Sequence, residues 1–320
     1  MANKLDELDA RAALQWRSLA ARARHAIPVQ ADKPTETGES TLRALWHCAA
    51  GLRLSNEAAQ SIELRPLLAE EFKLLERLLE QRIAGTPLAH LTERQHFMGL
   101  EMIAGPAALI PRQETELLVR SALDTLNEAR FGANSASASA FDAPLVIDIC
   151  TGSGNVAAAL AYRHTSLVVH ACDLSYDAIA LAQINLQHLA LSDRVQLHVG
   201  DLFEPLLQAG LHQQATLVTC NPPYISSAQV ARMAPEIADY EPSLAFDGGP
   251  FGIGILRRVI RDAPQMLRPG GWLVMEVGLG QADSVLHNLR ANPAFTAVEG
   301  INNSAGKIRV VRGRRSGACE

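Results

Sequence analysis

Asn221-Pro222-Pro223-Tyr224 is suited to holding a flat nitrogen group. A proline lacks an N–H and fixes φ near about −65°. Pro222 and Pro223 together stiffen the backbone and leave its carbonyls free to accept. The Asn221 side-chain oxygen is a further acceptor, and the Tyr224 ring adds a flat face. Acceptors that take both protons of a planar NH2 suit an amide or an exocyclic amine that must attack an electrophile. The plainer reading is a turn beside a core tyrosine.

A second group of residues outlines an adenosine site. In Asp148-Ile149-Cys150-Thr151-Gly152-Ser153-Gly154-Asn155, Gly152 and Gly154 let the backbone turn tightly and approach a ligand, with Thr151 at the start of the turn. Asp173 ends the next strand-like run, where a carboxylate can take both hydroxyls of a ribose. Asp201 ends the third, where an acceptor can meet an adenine amino group with Leu202 or Phe203 against the ring. Taken singly, Asp173 and Asp201 also read as capping or turn aspartates. Two cofactors fit this outline. Gly152-x-Gly154-x-x-Ala157 followed by Asp173 satisfies the relaxed dinucleotide fingerprint of NAD sites. No His or Arg arrangement for hydride transfer accompanies it. For S-adenosylmethionine, Asp148 stands where it can hold the methionine ammonium, and the amine-gripping tetrapeptide lies where a methyl acceptor belongs. The residues favour S-adenosylmethionine over NAD.

The elements that must position these groups follow from periodicity. Leu145–Cys150, Leu167–Cys172, Val195–Val199, Ala215–Cys220 and Trp272–Val277 read as buried strands. Helical patterns cover Val156–Tyr162, a stretch capped by Ser175 and running to about Leu189, Leu256–Leu267, and Gln281–Ala291. Short strands close the chain near Phe295–Glu299 and Lys307–Arg312. Strands alternating with helices predict a doubly wound α/β sheet, with ligands at the strands' carboxyl ends. Ahead of it, leucine stripes at helical spacing (Leu5 to Leu19, Leu42 to Ala49, Leu68 to Ile83) predict a small helical domain over 1–86. Phe97 to Ile110 reads as a hairpin within a linker over 87–112, and the α/β domain fills 113–320. The Gly-, Ala- and Ser-rich stretch 131–141 reads as a loop without chemistry.

Composition narrows the classes. The hydrophobic content of 48% supplies a sizeable core, and the net charge of −5 gives no reason to expect direct nucleic-acid binding. Residues 1–95 balance their charges, so residues 96–320 carry the whole excess. The five cysteines are odd in number and scattered, which argues against a disulfide framework and against a metal site, and fits a reducing compartment. No apolar run approaches a membrane span, and no signal-peptide pattern follows Lys4. The expectation is a cytoplasmic protein, with no membrane partner.

At this point the chain resembles the protein N(5)-glutamine methyltransferases that modify peptide chain release factors. The resemblance runs from about Gly85 to Arg314. It is carried by Gly85-Thr86-Pro87-Leu88-Ala89-His90-Leu91, Ile110-Pro111-Arg112-Gln113-Glu114-Thr115-Glu116, the glycine loop and Asn221-Pro222-Pro223-Tyr224-Ile225. Glu241-Pro242, Asp247-Gly248-Gly249, Glu276-Val277-Gly278 and Ala305 to Val311 complete it. The tetrapeptide is shared with amino-methyltransferases of nucleic acids; the Ile-Pro-Arg and Glu-Thr-Glu segment is particular to this family. The resemblance implies a seven-stranded class I methyltransferase sheet whose last strand is antiparallel, and a helical domain that recognises a protein substrate. It implies S-adenosylmethionine as cofactor, a release factor as partner and the glutamine of its Gly-Gly-Gln loop as acceptor. Asn221 and the Pro222 carbonyl would hold the amide, with Pro223 and Tyr224 beside it. Arg112 and Glu116, in the family-specific segment, would contact the substrate. The chain departs from the family pattern at Glu93-Arg94, at Pro250-Phe251-Gly252 and at Lys307-Ile308. A methyltransferase acting on another protein, a small amine or a nucleic-acid base shares the tetrapeptide, and a catalytically silent docking protein is a third class.

Overall fold

The structure, a computed structural model, describes residues 10–30, 33–131, 143–233 and 239–317. Most of the loop expected at 131–141, and the start of the stripe expected from Leu5, lie outside these residues.

The chain divides into two compact units. The first runs to Pro106 and takes in Ile110–Gln113 and residues 239–241. It contains α1 (Ala10–Ala26), α2 (Gly38–Ala49), α3 (Asn56–Ala59), α4 (Ala69–Ile83), α5 (Leu88–Thr92) and the hairpin β1 (Arg94–Phe97) and β2 (Leu100–Ile103). The leucine stripes become its core: Leu19, Leu42, Leu45, Leu75 and Leu79 are buried around Trp46. Trp16 meets Trp46 edge-on with ring centroids 5.6 Å apart, and Trp46 Nε1 donates to the Arg65 carbonyl at 2.8 Å. The large ring is therefore buried without an orphaned donor. Thr37 and Ser40 cap α2 reciprocally, and Ser55 caps α3.

The hairpin, expected as part of a linker, belongs to this helical unit. It turns at Met98-Gly99, where φ is 53° and 85°, so both central residues take the positive φ of a tight hairpin turn. Phe97 and Met102 are fully buried, and the Ser55 N–H and hydroxyl both donate to Glu101. The chain comes back to this unit late. Glu241 accepts the Ile110 N–H at 2.8 Å and pairs with Arg112, and the Thr86 hydroxyl donates to the Tyr240 hydroxyl at 3.1 Å.

The second unit is built on a seven-stranded sheet. Its strands are β3 (Leu145–Ile149), β4 (Val168–Asp173), β5 (Val195–Val199), β6 (Ala215–Cys220), β7 (Leu267–Glu276), β8 (Phe295–Asn302) and β9 (Ile308–Arg315). Their order is β5-β4-β3-β6-β7-β9-β8. The first five are parallel, and β9 runs antiparallel to both neighbours. Chain order reverses between β3 and β6, which opens a crevice at their carboxyl ends. All six residues of β6 are buried, as a strand covered on both faces requires. Between the strands lie α6 (Glu116–Phe131), α7 (Asn155–Arg163), α8 (Tyr176–His188), α9 (Glu204–Gln208), α10 (Ser227–Val230), α11 (Gly254–Asp262) and α12 (Ala282–Ala291).

One boundary differs from the sequence reading. The helix expected over 256–267 ends at Asp262, a 3-10 turn covers Ala263–Gln265, and β7 starts at Leu267. Pro269-Gly270-Gly271 lies inside that strand, where the pairing with β6 slips between Ala215 and Leu217. A Cβ on Gly271 would meet the Ala215 carbonyl oxygen at 2.9 Å, so the glycine permits a close crossing.

Candidate functional site

The glycine loop leaves β3 and opens α7. Gly152 and Gly154 have φ of 55° and 78°, the left-handed region that glycine enters without strain. A Cβ at Gly154 would press to 3.1 Å from the Ala182 Cβ, so this glycine also lets α7 approach α8. The loop is tied to the next strand. The Thr151 N–H donates to the Cys172 carbonyl, and the Gly152 N–H donates to Asp173 Oδ2 at 2.8 Å. The other Asp173 oxygen accepts the Ser175 N–H at 2.9 Å. Burial pushes the Asp173 carboxyl up, and these backbone donors oppose the shift.

Asp148 is buried below the loop. Its Oδ2 accepts from the Thr151 hydroxyl at 2.6 Å and its Oδ1 from the Thr219 hydroxyl at 2.7 Å. Burial outweighs these two bonds and pushes its carboxyl up to about 6. Asp201 is half-exposed, and Arg258 of α11 donates to it at 2.7 Å. Leu202 follows in a left-handed conformation.

These groups line one cleft. Asp148, Thr151, Gly152, Asp173, Asp201, Leu202, Asn221 and Pro223 all face it. Ala107, Ala108, Leu109, Leu174, Leu244 and Ile255 give it apolar walls. The expected adenosine-site residues and the tetrapeptide asparagine are thus brought together. Of the two side chains expected against a ring, Leu202 lines the cleft, and Phe203 is buried in the hydrophobic core. Gly154, Pro222 and Tyr224 are not among the lining residues, and Pro222 is buried.

Tyr224, expected to pack its ring beside the acceptor, is anchored by its hydroxyl. Its hydroxyl donates to Glu276 Oε1 at 3.1 Å and accepts from Arg309 Nη2 at 3.2 Å. Arg309 also donates to Glu276 at 3.3 Å. The ring lies so close to Gly278 that a Cβ there would meet Tyr224 Cδ2 at 2.9 Å. Burial, then the neighbouring Glu276 charge, raises the tyrosine well above its ordinary value, so it stays a donor. Arg112 and Glu116, expected as substrate contacts, are engaged elsewhere. Arg112 pairs with Glu241 in the first unit, and Glu116 pairs with Arg120 one turn along α6.

Sequence reasoning passed over four side chains here. Asn221 Nδ2 donates to Thr115 Oγ1 at 3.1 Å. Thr115 and Glu276 are buried, Arg309 is a partly buried partner of Glu276, and Arg258 holds Asp201. A signal for Glu276 was present: it is a lone acid ending an apolar strand, as Asp148 is at β3. Beyond the tetrapeptide, the Ile225 N–H donates to the Phe246 carbonyl, and Asp247 accepts from the Ser227 hydroxyl and the Gly249 N–H. Among the departures from the family pattern, Glu93 caps α5 in the left-handed region, which explains why a glycine suits that position, and pairs with Arg53. Phe251 is 82% exposed. No group of three or more metal-ligating side chains occurs among the described residues, and no helix among them is long and apolar enough to cross a membrane.

Comparison with known proteins bears on both fold and chemistry. The Methyltransferase small domain family matches residues 137–239. A release factor glutamine methyltransferase of Geobacter sulfurreducens is 36% identical over 273 residues, covering 85% of this chain and 89% of that protein. A ribosomal protein uL3 glutamine methyltransferase of Bradyrhizobium diazoefficiens is 34% identical over 250 residues, covering 77% of this chain and 74% of that protein. Among solved structures, the hMettl16 catalytic domain in complex with a MAT2A 3'UTR hairpin superposes with a TM-score of 0.50 at 16% identity. That likeness covers 74% of this chain and 80% of the other, and it bears on the fold alone.

Proposed function

This chain belongs to the release factor glutamine methyltransferase family, and from that premise we propose that it moves a methyl group from S-adenosylmethionine to the side-chain amide nitrogen of a glutamine in a peptide chain release factor. The observation that carries the reading is the cleft itself. One cavity joins the glycine loop, Asp173 and Asp201 on the cofactor side to Asn221 and Pro223 on the acceptor side. The cofactor's shape fits the residues present. A Cβ on Gly152 would meet only the Ala108 Cβ, at 4.0 Å, so the loop backbone is open to close approach. Asp173 keeps lone pairs for two ribose hydroxyls after accepting from Gly152 and Ser175. Asp148, whose oxygens each accept one hydroxyl hydrogen, would act on the methionine ammonium by its charge.

S-adenosylmethionine, when bound, supplies a methyl group on a positive sulfur that leaves readily. The chain's own task is then placement. An amide nitrogen is a poor nucleophile because its lone pair is delocalised. Holding it in line at about 3–3.5 Å from the methyl carbon can be worth roughly 7–11 kcal/mol. Transfer would leave the electron pair of the broken S–C bond with the departing cofactor, and the nitrogen held by the chain would become positive. Acceptor bonds from Asn221 and the Pro222 carbonyl strengthen at that moment. The surplus proton leaves the nitrogen after transfer, so no strong base is needed.

The test is to incubate the protein with S-adenosylmethionine and an unmodified release factor, then map the peptide carrying the Gly-Gly-Gln loop by mass spectrometry. One methyl on that glutamine is the expected result. Methyl found on ribosomal protein uL3, a nucleic acid or a small amine, with none on the release factor, would overturn the assignment of the acceptor.

A further inference from the structure

A polar residue just before a helix most often spends its side chain on capping it. Gln281 precedes α12, and its side chain makes no capping bond. It reaches three backbone segments instead. Gln281 Oε1 accepts the Gly278 N–H at 3.0 Å. Gln281 Nε2 donates to the Tyr224 carbonyl at 2.8 Å and to the Gly252 carbonyl at 3.3 Å. A backbone N–H can only donate and a carbonyl can only accept, so these partners fix which end of the amide is which. Both amide hydrogens are thereby used.

The surroundings are shaped to admit this side chain. A Cβ on Gly278 would stand 2.7 Å from Gln281 Oε1, and a Cβ on Gly252 would stand 2.9 Å from Gln281 Nε2. Both glycines are buried. Tyr224 closes the acceptor tetrapeptide, whose other end, Asn221, directly follows β6. The two prolines between them leave few soft torsions. Where this stiff segment presents its acceptors is then set by how its ends are held. The 246–252 segment runs beside the far end: the Ile225 N–H donates to the Phe246 carbonyl at 2.9 Å, and the Gly248 N–H donates to the Ile225 carbonyl at 2.8 Å. Gln281 joins the same two segments through one nitrogen. Without its hydrogens, the Tyr224 and Gly252 carbonyl oxygens that converge there would repel across the gap.

We propose that Gln281 is a positioning residue for methyl transfer: it clips Tyr224 to the Gly252 and Gly278 backbones and so holds the far end of the tetrapeptide whose Asn221 and Pro222 receive the acceptor amide. The proposal rests on the reading of the tetrapeptide as the acceptor clamp. It gives a task to a residue outside the motifs that announced the site.

Gln281→Glu keeps the shape and turns the donor into an acceptor; Gln281→Met keeps the length and removes both. At about pH 8 the carboxylate of the first variant sets a third oxygen against two carbonyls, and kcat on a release factor is expected to fall roughly 10- to 100-fold. S-adenosylmethionine affinity by calorimetry is expected to stay within about threefold in both variants, since Asp173, Asp201 and the glycine loop stand on other strands. In the isotope-labelled protein, the Ile225 and Gly248 amides are expected to exchange their hydrogens faster in both. Protonation gives the new carboxyl one hydrogen to offer a carbonyl. At saturating cofactor, the ratio of Gln281→Glu to wild-type kcat is therefore expected to rise about threefold or more as pH falls to about 6. The ratio for Gln281→Met is expected to stay low and level. The methionine variant adds no charge, so it decides the matter if the glutamate variant does not fold. Wild-type kcat in either variant would overturn the proposal, as would unchanged exchange at Ile225 and Gly248. So would a cofactor affinity that falls as far as kcat, the mark of a general loss of structure, or a Gln281→Glu ratio as level with pH as that of Gln281→Met. If the amides exchange faster as expected while the wild type leaves a release factor unmodified, the clip stands and the acceptor assignment falls.

Discussion

Asp173 holds a loop as well as lining a cleft, and its removal should be felt twice. Its oxygens fix the Gly152 and Ser175 N–H groups before any ligand arrives. Asp173→Ala is expected to weaken S-adenosylmethionine binding by at least roughly 10- to 100-fold, from lost charged hydrogen bonds and a loosened loop. Unchanged affinity by calorimetry would sink the ribose assignment. Asn221→Ala separates binding from chemistry. It is expected to keep cofactor affinity within about twofold and to lose roughly 100-fold or more in kcat, since the group acts on charge that develops in transfer. Wild-type turnover in that variant would refute the clamp. Asp148 adds a pH dependence. Its carboxyl is raised from 3.8 to about 6 by burial, so between those values the folded protein holds a proton that the unfolded chain has released. That contribution to stability is full below the lower value and is lost as pH rises through the upper one, about 3 kcal/mol in all. A cation beside Asp148 favours its ionised form. S-adenosylmethionine affinity is therefore expected to fall up to about tenfold per pH unit below that point, and Asp148→Asn should show a flat profile. Parallel profiles for the two proteins would show that Asp148 does not sense the cofactor's charge.

The elements differ in how plainly the sequence announces them. β6 was legible because burial on both faces leaves a short run of apolar residues and threonines with no charge, and Asn-Pro-Pro ends it abruptly. The glycine loop and Asp173 were legible because a left-handed turn and a strand-ending acid leave local marks. The hydroxyl partners of Tyr224 were not legible because Glu276 and Arg309 lie 52 and 85 residues away, and no local pattern records such a distance. The start of β7 was missed because Pro269-Gly270-Gly271 looks like a helix stop, and only the neighbouring β6 shows it to be a slip in register. A similar hidden constraint lies at Gly252. Its φ is +67°, and a Cβ there would fall 2.2 Å from the Tyr224 carbonyl oxygen. Gly252→Ala is expected to push the 246–252 segment off Tyr224 and to destabilise the protein by roughly 1–3 kcal/mol. Urea denaturation checks this, and an unchanged midpoint would mean that the segment yields freely.

Over the whole molecule, the helical unit ends beyond the hairpin and not at Gly85-Pro87. A cut after residue 86 would bare Phe97 and Met102 and orphan Glu101, whose partner is Ser55. Deleting residues 1–106 is expected to keep S-adenosylmethionine binding and to abolish methylation of an intact release factor; deleting 1–86 is expected to give the less soluble product. Calorimetry and mass mapping on both truncations decide it. Full activity of the shorter chain on the whole protein would remove the recognition role from the helical unit. The return of Tyr240 and Glu241 to that unit also sets an order of events during synthesis. A ribosome delivers the helices and hairpin first, yet Ile110 and Arg112 wait for Glu241 until β3 to β6 have followed. The first unit to leave the ribosome is among the last to be closed, and a chain arrested before residue 241 holds its earliest portion unlatched.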